Sequence, residues 1–149
     1  SGKTATQTFR PGQRLSPVDG IQIQTRSLNH PGGAVGYRVD YKGKSVAMVF
    51  DTGHVPGKLD PNVMDLISGV DLFLYDATFT EPEFESYQDF GHSTWQQGVR
   101  LAIAAKAQRV GFVHHSPFRT DAELEEIEAE AQRRFPGAFC VRDLQVTKL

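Results

Sequence analysis

Ile21, Ile23 and Thr25 alternate with Gln22, Gln24 and Arg26. That period of two predicts a strand with one buried face, running to His30, where Pro31-Gly32-Gly33 breaks it. Upstream, 7–14 reads as a short strand with a turn at Pro11-Gly12, and Asp19-Gly20 marks a tight turn. Strands are expected at 35–41 and 44–50, joined through Lys42-Gly43. Asp60 caps a short helix that has Pro61 in its first turn and ends near 68. The apolar run 71–76 is a further strand, and the acidic stretch 81–90 reads as an irregular loop. Ser93 and Gln96 fit a capping box for the next helix, which packs through Val99, Ile103 and a run of alanines. A strand at 109–114 follows. Thr120 and Glu123 open a helix to about 135, with acids at its start and Arg133-Arg134 at its end, as its dipole favours. Gly137 stops it, and 138–141 and 144–148 are expected as closing strands.

The totals narrow this little. A chain of 149 residues suits one domain with one modest core, and residues 1–6 read as a linker or tag remnant. A net charge of -2 gives no strong nucleic-acid signal and no case for anionic lipid. The lone Cys140 excludes a disulfide framework and reads as a buried, inert thiol. No apolar run is long enough to span a bilayer, so no membrane partner and a cytoplasmic location are expected.

Polar, titratable residues gather where strands end: His30, Asp51, Asp76, and the pair His114-His115, with His92 just before a helix. Side chains at the carboxyl ends of strands in α/β layers converge on a ligand crevice. Imidazoles and carboxylates approaching from separate strands are what a zinc-like site needs. Each residue also has a plainer reading. His30 could be a loop histidine, Asp51 the start of an Asx turn, Asp76 a cap, and His92 a residue preceding one. Of His114 and His115 one is expected to act and one to pack, and His54 to be exposed or to support a ligand from behind.

The segments SLNHPGGAVGYRV, VFDTGH, LFLYDATF, GHSTWQQGVRLA and VGFVHHSP together resemble the C-terminal half of a metallo-β-lactamase-fold hydrolase. They resemble most the branch of ribonuclease Z and related phosphodiesterase-like proteins. The resemblance implies an α/β fold that is half of an αβ/βα sandwich, a mixed sheet with helices on one face. It implies that His30, Asp51 and His114 are metal ligands, with Asp51 bridging two divalent ions (zinc first, manganese or iron as alternatives). It implies that Asp76 orients His92, which protonates the leaving oxygen. A substrate phosphate would lie against the helix start at Ser93 and Thr94. His115 and His54 would support the ligands from behind.

This sequence departs from the family pattern in several places. The family's H-x-H-x-D-H signature is absent, since the residues before His30 contain no histidine. The metal site is therefore expected to be incomplete, with zinc binding weakly to this chain alone. Tyr75 replaces a histidine and Ser116 an aspartate found in relatives. Nothing resembles the arm with which ribonuclease Z grips tRNA, so that substrate is not carried over. A half sandwich would leave the apolar face of Ile21, Ile23, Val39, Val46, Met48 and Phe50 uncovered. The expected partner is the N-terminal half of the same protein or a second copy. The expected reaction is phosphodiester hydrolysis. Ester, thioester or lactone hydrolysis on the same scaffold, or a metal-free binding or assembly module, are the alternatives.

Overall fold

The structure is a computed structural model that describes residues 5–149; residues 1–4 of the expected linker lie outside them. Seven strands form a single mixed sheet in chain order. They are β1 (Arg14–Leu15), β2 (Ile21–Leu28), β3 (Ala34–Tyr41), β4 (Lys44–Val49), β5 (Leu72–Asp76), β6 (Val110–Val113) and β7 (Ala138–Cys140). Neighbours from β1 to β4 pair antiparallel, and β4 to β7 pair parallel. Parallel neighbours need crossovers. α1 (Pro61–Ile67), α3 (Trp95–Ala104) and α4 (Asp121–Arg134) provide them.

The register sorts the sheet into two unlike faces. Ala47, Phe73, Val110 and Ala138 lie side by side, as do Val49, Tyr75, Phe112 and Cys140. These residues form the core with Leu66 and Ile67 of α1, Val99 and Ala102 of α3, and Ile127 and Ala131 of α4. The helices thus pack on this face. On the opposite face Ile23, Val39 and Val46 line up, as do Tyr37, Met48 and Leu74. All six are only partly buried, and Phe50 is exposed. The uncovered apolar face expected from the sequence is present.

Four local readings need correction. β1 is two residues long and begins at Arg14, because 7–13 pairs with no strand and is held instead by bonds such as Gly12 N–H to the Thr25 carbonyl and Thr25 Oγ1 to the Gln13 carbonyl. Residues 144–148 form no strand. The α3 cap is Thr94, not Ser93: the Thr94 Oγ1 accepts from Gln97 N–H at 3.1 Å. The acidic stretch contains a short helix, α2 (Glu81–Phe84), and a 3-10 turn (Gln88–Phe90). Thr80 N–H donates to the Glu83 carboxylate at 2.7 Å, and Arg119 forks onto the same carboxylate at 2.7 and 3.0 Å. That bidentate pair fixes the loop to the segment after β6 and holds the Glu83 carboxyl below the usual carboxylate range.

If the two faces differ as described, the same truncation should cost differently on each. Phe112→Ala, on the helix face, should lower stability by about 3–5 kcal/mol. Met48→Ala, on the bare face, should cost no more than about 1 kcal/mol, both read from urea unfolding midpoints.

Candidate metal centre

The parallel strands β4, β5 and β6 are neighbours, so their carboxyl ends share one edge of the sheet. Asp51 follows β4, Asp76 closes β5 and His114 follows β6. The loop before α3 brings His92 to the same place. One ligand atom from each of Asp51, Asp76, His92 and His114 lies within 4.8 Å of all the others. Asp51 and His114 both adopt left-handed backbone, φ 50° and 58°. Non-glycine residues seldom do so, and such strain concentrates at functional sites.

Asp76 is the buried member, 0% exposed. Its Oδ1 accepts from Thr78 Oγ1 at 2.9 Å and from the backbone N–H groups of Thr78 and Ser93, each at 3.2 Å. Its Oδ2 accepts from His92 Nδ1 at 2.8 Å. The carboxylate is thereby supplied with donors on both oxygens, which a buried charge requires. The His92 ring stacks on His114 at 4.6 Å between centroids.

The Thr78 hydroxyl sits 2.9 Å from His114 Nδ1, with the acceptors Asp76 Oδ1 and the His114 carbonyl also in reach. A hydroxyl has one proton. Given to either acceptor, it leaves Thr78 Oγ1 to accept from His114 Nδ1–H. His114 Nε2 then faces the Asp51 carboxylate oxygen at 3.3 Å. That approach needs a positive charge, either a proton on Nε2 or a cation held between the two groups. With two carboxylates and two imidazoles gathered, this donor set fits a divalent ion of the zinc type.

The other residues singled out from sequence fall around this group. His30 stands beside the four, its Nδ1 2.9 Å from the Gly91 carbonyl and its ring 5.5 Å from that of His92. Gly91 has φ +80°, and a Cβ there would meet His30 Nδ1 at 2.4 Å, so only glycine lets the two loops touch. His115 turns away. Its Nε2 lies 3.1 Å from the Phe112 carbonyl, its Nδ1 is buried without a partner among the described residues, and burial lowers its pKa. Ser93 and Thr94 are both 0% exposed. Thr94 caps α3, while Ser93 Oγ lies 2.7 Å from His54 Nδ1 and 2.8 Å from the Tyr75 hydroxyl. Both side chains are thus engaged within the protein. His54 is buried, stacked on Phe84 at 4.2 Å. Thr78 and Tyr75 were missed in the sequence. Only the placing of Thr78 two residues after Asp76 hinted at a hydroxyl folding back on the carboxylate.

The chain matches the Beta-lactamase superfamily domain over residues 2–115. It is 33% identical over 127 residues to Ribonuclease Z of Nocardia farcinica, covering 85% of this chain and 36% of that protein. Ribonuclease Z of Anoxybacillus flavithermus is 26% identical over 137 residues, with 92% and 40% covered. The chain therefore spans about two-fifths of the length of these relatives. Among solved structures it resembles the metallo-beta-lactamase fold protein YhfI from Bacillus subtilis, TM-score 0.72 and 17% identity over 90% of this chain and 51% of that one. Human tRNase Z, short form, gives a TM-score of 0.67 and 20% identity, with 91% and 46% covered. The metallo-β-lactamase fold and its ribonuclease Z-like branch, expected from the motifs, are borne out by these likenesses. The relatives are ribonucleases by name, although this chain's charge carries no such signature.

Burial, and then the Arg100 guanidinium, lower the His54 pKa to about 4. The unfolded chain takes up that proton near 6.5, so the neutral ring's contribution is complete above pH 6.5. It is lost as pH falls from there toward about 4. His115 acts with the same sign. Replacing His54 by Phe keeps a ring against Phe84 and should remove up to about 3 kcal/mol of the stability lost between pH 7 and 4. Urea titrations of both proteins at several pH values check this.

Proposed function

This chain belongs to the beta-lactamase superfamily, and we propose that it carries the proton-donating pair and part of the cation site of a metal-dependent phosphodiesterase. The observation behind this reading is the approach of Asp51 Oδ1 to His114 Nε2 at 3.3 Å beside a buried Asp76–His92 pair. Asp51 and His114 would hold a divalent cation, zinc being the best match to the donors, with His30 a third ligand from the neighbouring loop. Bound there, a cation supplies Lewis acidity and lowers the pKa of a water. A second ion would need ligands beyond those gathered among the described residues.

The remaining chemistry falls to side chains of this chain. Asp76 accepts from His92 Nδ1, which fixes the direction of the ring. Nε2 of His92 is then the atom that can give a proton to a departing oxygen. An alkoxide needs that proton, whereas a carbonyl substrate with a good leaving group does not. This favours phosphodiesters over the thioester alternative, whose thiolate leaves unaided; esters and lactones also expel alkoxides and are separated by the substrate comparison below. The buried position of Asp76 lets it orient His92 without competing for the cation. The bare sheet face takes a second apolar sheet, supplied by the rest of a longer protein or by a second copy. In that assembly the cost of Met48→Ala rises toward the value for a buried residue.

In the assembly that covers the bare face and completes the site, His92→Ala should lower kcat by about 10²–10⁴ on thymidylyl-thymidine, whose leaving group is an alkoxide. On bis(p-nitrophenyl) phosphate, which departs unaided, the loss should stay below about tenfold. Equal losses on both, or faster turnover of p-nitrophenyl acetate than of either, would sink the assignment. His114→Ala should weaken zinc binding by at least about tenfold in calorimetric titration; unchanged affinity would remove His114 from the cation site.

A further inference from the structure

We infer that His54 binds the uncharged sugar or base of the substrate through its Nε2–H, and that Tyr75 and Ser93 position it by fixing that tautomer. The inference rests on the phosphodiester reading for the identity of the substrate, but not for the proton positions. Tyr75 is 1% exposed, and its hydroxyl has one partner, Ser93 Oγ at 2.8 Å. A buried phenol must give its proton to something, and burial keeps the phenol protonated. Ser93 Oγ therefore accepts from Tyr75. Its own proton goes to His54 Nδ1 at 2.7 Å. An imidazole that accepts at Nδ1 carries its hydrogen at Nε2.

Nε2 is the one polar atom of this ring left over. It has no hydrogen-bond partner among the described residues, and it is not among their fully buried orphan atoms. It therefore keeps access to solvent although the residue is only 7% exposed. The ring lines a cleft of about 360 Å³ with Asn29, His30, Gln88, Asp89 and Gly91, and borders a second lined by Glu81, Phe84, Glu85 and Arg100. His30 also faces His92, so the first cleft opens beside the metal centre. Stacking on Phe84, at 8° between planes, holds the donor in one direction before any ligand arrives.

The lining chooses the ligand. Asp89 is the one carboxylate in the first cleft, with no lysine or arginine beside it, and in the second Glu81 and Glu85 outnumber Arg100. A phosphate is repelled from both. Two side-chain amides, a carboxylate and a neutral N–H suit hydroxyls and the polar edge of a base. The scissile phosphate belongs at the metal centre, and its nucleoside reaches back into this cleft.

The imidazole signals of ¹⁵N-labelled protein in long-range ¹H–¹⁵N spectra test both halves. His54 should show the Nε2–H tautomer, and Ser93→Ala should turn it into a mixture. If that variant does not fold, the wild-type spectrum decides alone: an Nδ1–H tautomer overturns the inference. Added thymidine should shift the His54 signals, inorganic phosphate should not, and His54→Phe should weaken thymidine binding by about tenfold. Thymidine that leaves His54 unmoved, or phosphate that moves it equally, overturns the binding half. Failure to hydrolyse thymidylyl-thymidine would count against the phosphodiester reading instead, because these measurements involve no turnover.

Discussion

The buried carboxylate of Asp76 is the point on which the surrounding structure converges. A charge at 0% exposure is tolerable only when donors surround it. Here they come from three places: Thr78 just after β5, the Ser93 backbone at the start of α3, and the His92 ring. One side chain at the end of β5 thus dictates where the next helix begins and which way His92 faces. Removing the carboxylate would leave several buried donors unsatisfied at once, so that structure and chemistry would be lost together. The strand end and the helix start are coupled through this group and not through apolar packing.

The second constraint is the asymmetry of the sheet. Helices cross on one face because each parallel pair needs a crossover, and all three crossovers lie on that side. The other face offers Ile23, Val39, Val46, Met48 and Leu74 to whatever comes next. Among solved relatives this chain spans about half the length, 51% and 46% in the two compared above. The edge that gathers Asp51, Asp76, His92 and His114 is at the rim of that bare face, since Asp76 lies on it, in line with Met48's neighbour Leu74 two residues earlier. A covering layer would therefore also adjoin the metal centre.

Periodicity was enough for the strands and the long helices, because alternation and capping residues are local signals. Asp60, Thr120 and Glu123 cap where their spacing says they should. The errors arose where two local readings compete. Ser93-Thr94 offers two capping hydroxyls in a row, and which one caps depends on Tyr75 and His54, distant residues that claim Ser93 for themselves. The acidic loop hid a capped helical turn because Pro82 and the carboxylates read as irregular; the Arg119 that anchors it is 36 residues away from Glu83. The strand-end residues were visible as a set, but the order within the set was not. Asp76, His92, Asp51 and His114 gather closely, whereas His30 stands one loop away, a difference that depends on backbone geometry at Gly91.

The five histidines show how one ring is given different work by its second nitrogen. His92 gives Nδ1–H to a carboxylate, which leaves Nε2 facing away from Asp76. His114 gives Nδ1–H to a hydroxyl, which leaves Nε2 as the atom facing Asp51. His54 accepts at Nδ1 and is left with a donor. His115 spends Nε2–H on the Phe112 carbonyl and stays in the interior. His30 is held at Nδ1 by the Gly91 carbonyl, which as in His114 leaves Nε2 as the remaining nitrogen. The five rings are thus distinguished by the partner behind each one and not by the ring itself. That is why residue type and spacing could mark the neighbourhood, while the division of labour waited on the hydrogen bonds of Thr78, Ser93 and Gly91.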